Sequence, residues 1–263
     1  ALSDGRPSLC LQCHDGVEKE LQKKAVHWIV QDNICWGCHS PHAADRESLL
    51  KEAQPRLCLD CHYDIEQKAR SKSAHAPVAK GCGDCHLHHA SDHAQLLKQA
   101  QGPLCLGCHA PARKWASQRS AHDPVRSGDC TYCHDAHGGG KKLVLKEGGE
   151  LCAECHEVQA GEEGKKDGGH PPVAMGDCRA CHVVHASDFG ALLTVKPETL
   201  CAGCHEDMYE KRAGAKLHSP FKSGDCASCH TAHGDTAHLV RPGDPCTKCH
   251  GAAERDWARL RSR

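Results

Sequence analysis

Leucines immediately preceding cysteines set the rhythm of this chain. Leu9-Cys10 recurs as Leu57-Cys58, Leu104-Cys105, Leu151-Cys152 and Leu200-Cys201, a period of about 48 residues. Between these apolar marks the chain is polar. Charged, helix-compatible stretches such as 18–24 and 64–70 run toward a lone histidine. A proline often follows it, at Pro77, Pro124, Pro171 and Pro220, where a helix is expected to stop. The pattern predicts short α-helices separated by coil, with almost no β-structure. No apolar run approaches membrane-spanning length.

Composition sharpens this picture. Aromatic residues are 3% of the 263 residues, and the hydrophobic share reaches 39% only because alanine and 22 cysteines are counted. So little bulky apolar surface does not offset the conformational entropy of the chain. Polypeptides in that position rely on covalent or metal staples. The 33 basic and 34 acidic side chains leave a formal charge of −1, so nothing marks a nucleic-acid-binding face. Arg255, Arg259, Arg261 and Arg263 around Trp257 form a basic tail, read as a solvated terminus or a docking segment.

The staples are visible in the cysteines, all of which fall in eleven Cys-x-x-Cys-His pentapeptides. These are Cys10 and Cys13 with His14, Cys35 and Cys38 with His39, Cys58 and Cys61 with His62, and Cys82 and Cys85 with His86. Cys105 and Cys108 with His109, Cys130 and Cys133 with His134, Cys152 and Cys155 with His156, and Cys178 and Cys181 with His182 follow. Cys201 and Cys204 with His205, Cys226 and Cys229 with His230, and Cys246 and Cys249 with His250 complete the set. The pentapeptide is the attachment signal for c-type haem. Cysteines three apart share one side of a helical turn and reach the two vinyl groups of one porphyrin, and the adjacent histidine binds the iron. Structural zinc does not require a histidine at the fifth position every time. A disulfide framework does not explain the regularity, and a thioredoxin-like motif needs a strand–helix context that is missing. Eleven covalent haems, one per roughly 24 residues, would replace side chains as the core. The haem-free chain should be largely unfolded.

Two motifs fall in each period. The tandem units run approximately 1–49, 50–96, 97–144, 145–193 and 194–238, with a single-haem segment at 239–263. The whole is read as one elongated domain in which each unit contacts its neighbours. Beyond the eleven proximal histidines, ten recur at two fixed phases. Five end the linkers (His27, His75, His122, His170 and His218), and five lie three residues past an even-numbered motif (His42, His89, His137, His185 and His233). Recurrence in phase with the cysteines marks them as sixth ligands, and two methionines are too few for that role.

His42 lies on the side of the porphyrin that His39 already occupies, so post-motif histidines are assigned to the odd-numbered haems one to nine. Linker histidines are assigned to the even-numbered haems two to ten, since eight residues give His27 ample reach to the far face of its motif. His238 precedes Cys246 by the same offset and is assigned to haem eleven. In another alignment the segment before Cys246 resembles that before Cys201, position 253 is alanine, and a second chain supplies the ligand. His88 and His93 occur in one repeat only and are read as surface residues or as ligands to a second protomer's haem.

His75-Ala-Pro-Val78 followed by Cys82 to His89 and then Leu104-Cys105, repeated from His122-Asp-Pro-Val125 through Cys130 to His137, resembles the doubled-CxxCH multihaem c-type cytochromes. The resemblance covers nearly the whole chain. Relatives include decahaem conduits that thread outer-membrane porins and extracellular cytochromes that polymerise into conductive filaments. It implies bis-histidine, low-potential haems in a stacked row with little regular secondary structure. The unpaired eleventh motif departs from the decahaem pattern and weakens transfer of the porin role.

The expected function is electron transport along a linear array of closely spaced haems, with other cytochromes, a porin or further copies of the chain as partners. The competing class is a multihaem reductase, which needs an iron with an open position, expected at haem eleven. Covalent haem attachment and the Ala-Leu-Ser-Asp start, which suits a mature terminus after export, place the chain outside the cytoplasm. That means the periplasm or the cell surface. Porin-embedded conduit, soluble shuttle and extracellular polymer stay open as placements.

Overall fold

The computed structural model describes residues 9–156, 169–210, 216–233, 241 and 245–250. Among the described residues the backbone is mostly coil and single turns, with short helices and two two-stranded antiparallel sheets. The chain forms two compact units, one from residues 1–114 with 123–147 and the other from 115–122 with 148–263.

Proline does not act as the sequence pattern suggests. Pro77, Pro171 and Pro220 occupy the first or second position of a turn that begins directly after the linker histidine. There its missing N–H costs nothing, and its fixed φ suits a helix start. The charged stretches form the helices Asp15–Glu20 and Tyr63–Ala69, which end several residues before the linker histidine. Each linker histidine is thereby left extended, with ψ between 123° and 139° at His27, His75, His170 and His218.

That extended backbone is what pairs. In the first unit β1 (Ala25–Val26) lies antiparallel to β2 (Ala90–Ser91), and Ala74 stands opposite Gly138 in the same phase of the next repeat. In the second unit β3 (Ser120–Ala121) pairs with β4 (Ala186–Ser187). A segment just ahead of a linker histidine is therefore joined to one just after a post-motif histidine one repeat further along. Ser91 and Ser187 anchor the outer strands. Each hydroxyl donates to a carbonyl six residues on, Leu97 or Leu193, and accepts the N–H of His93 or Phe189 at 3.0 Å.

The interior holds almost no side-chain mass. Among the described residues the buried apolar side chains are Leu11, Ala90 and Ala121, and the largest fully buried one is Ser91. Trp28 and Trp36 are about 60% exposed. Hydrophobic burial at ~25 cal/mol per Å² cannot hold this backbone through one leucine and two alanines.

Candidate haem-binding sites

All eleven pentapeptides adopt one local fold. The histidine N–H donates to the carbonyl of the first cysteine at 2.9–3.1 Å in every motif, from His14 to Cys10 through His250 to Cys246. One turn thus sets the two thiols and the imidazole on a common side. None of the 22 cysteines forms a disulfide, so every pair is available for thioether attachment. Successive motifs crowd one another: the Cys58 thiol hydrogen-bonds that of Cys82, and Cys38 interacts with Cys61. The Cys58–Cys82 bond, with burial adding to it, pushes Cys58 far above the usual thiol range. The same bond holds Cys82 down at about 7, against the opposing effect of burial. A thiol so lowered is more readily the thiolate nucleophile.

Imidazoles come together in pairs. In the first unit the ring centres of His27 and His62, His39 and His89, His75 and His109, and His86 and His137 are 6.0–6.2 Å apart. In the second unit His122 and His156, His170 and His205, His182 and His233, and His218 and His250 are 5.9–6.2 Å apart. Two imidazoles bound to opposite faces of one metal through ~2 Å bonds have ring centres about 6 Å apart. Direct stacking would bring them closer, as Trp115 on His185 does at 4.1 Å. The spacing therefore fits an iron between each pair.

The pairs correct the assignment drawn from sequence. Linker histidines face the proximal histidine of the following odd-numbered motif, as His27 faces His62. Three post-motif histidines, His89, His137 and His233, face the even-numbered motif of the preceding repeat, as His89 faces His39. The cross-repeat backbone pairing is the cause. The His27 N–H donates to the His89 carbonyl at 2.8 Å, His75 to His137 at 3.0 Å and His122 to His185 at 2.9 Å. One ladder thus delivers two imidazoles to two adjacent sites, which nearness in sequence does not reveal.

At the last motif His218 takes the place expected for His238. His238 itself lies outside the described residues, as do Arg255, Trp257, Arg259, Arg261 and Arg263. Among the described residues neither His14 nor His42 has another imidazole at pairing distance. His93 opens a turn, and His88 bonds Gln54 through the two Nε2 atoms at 3.1 Å.

Backbone carbonyls hold several of the rings. His39, His86 and His182 donate from Nδ1 to the carbonyls of Ser48, Gln95 and Ala191 at 2.7–2.8 Å. Those carbonyl residues, and the leucine after each, have φ between 51° and 58° without being glycine. The left-handed turn aims the carbonyl at the ring, and such strain is kept where the surroundings fix it. Lys142-Leu143 repeats the conformation. Sequence reasoning misses these residues, since a positive φ is usually signalled by glycine. The available mark is the Leu-Leu pair ten and eleven residues after His39, His86 and His182. His75 donates to the Ala136 carbonyl at 2.8 Å. Burial, assisted by neighbouring imidazoles, holds His27 and His170 below the ordinary histidine range, and burial does the same to His137 against the pull of Asp135. Neutral imidazole is the form that binds metal.

These sites define a protein that carries haem c covalently on repeated Cys-x-x-Cys-His motifs. The model of the doubled CXXCH motif matches residues 27–67, 75–114, 122–161, 170–210 and 218–255, well over half of the chain, and the chain belongs to that multihaem cytochrome family. No curated protein matches it. Each matched segment opens at a linker histidine and closes beyond the odd-numbered motif which that histidine faces. In this phasing Cys246 is the partner of Cys226, and the motif outside the doublets is that of Cys10. Ten motifs lie in the five doublets, and their family points to electron transfer with redox partners. No helix among the described residues is long and apolar enough to cross a membrane.

Proposed function

We propose that the chain binds eleven haems c, eight of the irons held between paired imidazoles, and conducts electrons along the row outside the cytoplasm, in the periplasm or at the cell surface. The eight histidine pairs at 5.9–6.2 Å carry this reading. Bound haem supplies a reversible one-electron couple. The polypeptide would grip each porphyrin through one pentapeptide turn and, at the eight paired sites, bring a second imidazole to the iron; between successive motifs Cys58 hydrogen-bonds Cys82, Cys105 hydrogen-bonds Cys130 and Cys201 hydrogen-bonds Cys226. A repeat joined only to its neighbours yields a linear array of sites.

Mass spectrometry and ferric EPR of the purified holoprotein test this. Eleven added haems with low-spin iron at the paired sites support it. Zinc, or far fewer haems, sinks it. The reductase reading loses its expected open iron at the eleventh motif, because His218 faces His250. A further candidate is the first motif, where His14 has no imidazole opposite among the described residues; one equivalent of carbon monoxide bound there would favour it. Imaging of the native material separates filament, porin-embedded conduit and soluble shuttle.

A further inference from the structure

Glu20 closes the helix Asp15–Glu20, directly after the first motif, and reaches the ring that faces the second. Its Oε2 lies 3.1 Å from His89 Nδ1, and its Oε1 lies 3.4 Å from the Lys23 ammonium. All three side chains are about one-third exposed, so the contact is partly sheltered. His89 in turn stands 6.2 Å from His39, the proximal histidine of the second motif.

The acceptor differs in kind from those at neighbouring sites. His39, His75 and His86 donate from Nδ1 to neutral backbone carbonyls. Asp135, another carboxylate near a post-motif ring, is 3.7 Å from His137 Nδ1, outside hydrogen-bond range, and is engaged by Lys68 at 2.8 Å. A carboxylate acceptor draws the Nδ1 proton more strongly than a carbonyl does, so the ring becomes a better electron donor through its other nitrogen. A better donor stabilises the ferric over the ferrous state.

Resting on the proposed His39–His89 ligation, we propose that Glu20 is a positioning residue that lowers the reduction potential of the second haem. It thereby makes the passage of an electron from the first haem to the second less favourable than it would be without the carboxylate. Lys23 moderates the effect by sharing the carboxylate.

The test uses the holoprotein and a spectroelectrochemical titration followed in the haem α-band. In Glu20→Gln, which keeps the size and an oxygen acceptor but loses the charge, one part in eleven of the amplitude should move to higher potential while the iron stays low-spin. Lys23→Ala should move the same fraction to lower potential. Glu66→Gln, whose carboxylate bonds Arg70, should change nothing. An unchanged titration in Glu20→Gln, with His89→Ala still producing one high-spin iron, overturns the tuning role and leaves the ligation standing. A high-spin signal in Glu20→Gln reduces Glu20 to a mechanical support and also overturns it. If His89→Ala yields no high-spin iron, the ligation fails and this inference fails with it.

Discussion

Replacing His75 by alanine separates two ways of wiring the same residues. The sequence assignment gives His75 to the fourth motif, whose proximal ligand is His86. In the structure its ring lies 6.0 Å from His109, inclined by 19°, while His86 has His137 at the same distance. His75→Ala should therefore release one iron, that of the fifth motif, as one high-spin ferric centre in eleven. It should bind one equivalent of carbon monoxide when reduced. The change deletes one hydrogen bond from Nδ1 to the Ala136 carbonyl, about 1 kcal/mol net, and spares the backbone bond from the His75 N–H to His137. The fold should survive, so the signal reports ligation rather than unfolding. Combining His75→Ala with serine at Cys105 and Cys108 should abolish the high-spin signal, because the affected haem is then absent. Combining it with serine at Cys82 and Cys85 should leave that signal in place. The reverse outcome would refute the cross-repeat pairing.

Gly128→Ala should destabilise the holoprotein by ~2–5 kcal/mol in denaturant titrations. The new Cβ would meet the Gly102 Cα at 2.8 Å at a φ of +83°, adding left-handed strain to overpacking. Gly16→Ala, in open space within a helix, should instead be neutral or stabilise by up to ~1 kcal/mol. Gln54→Leu should cost ~1–3 kcal/mol for each N–H it orphans, at Cys82 and Gly83, whereas His88→Ala should leave every spin state unchanged by EPR. The haem-free polypeptide should show weak far-UV circular dichroism and no cooperative melting transition, since Leu11, Ala90 and Ala121 are its only buried apolar side chains among those described.

The pentapeptide turn, the two histidine phases and the scarcity of β-structure are all legible in the sequence, because each depends on residues a few positions apart. The pairing of imidazoles is not. His42, three residues after His39, reads as a donor to its own repeat, yet the equivalent His89 reaches back fifty residues to His39. That reach depends on a two-residue ladder between Ala25–Val26 and Ala90–Ser91, too short to leave a period in the sequence. The left-handed Ser48-Leu49 and Gln95-Leu96 turns are equally silent, since neither carries glycine and the strain is maintained by bonds formed only on folding. Proline misleads through its position. Pro77 and Pro171 mark where a turn begins, and the same residue type one turn later would mark an end.

The alternation of donors has a bearing on how such a chain can grow or shrink. Like a link in mail, a repeat closes its own odd site with its linker histidine but borrows from the next repeat to close its even one. Cutting between links strands one proximal histidine without its paired imidazole at the break. Excising a full link and rejoining in phase strands none, whereas losing a single pentapeptide leaves a histidine without a client. Lengthening by whole duplicated links is thus the tolerated route for a chain built this way.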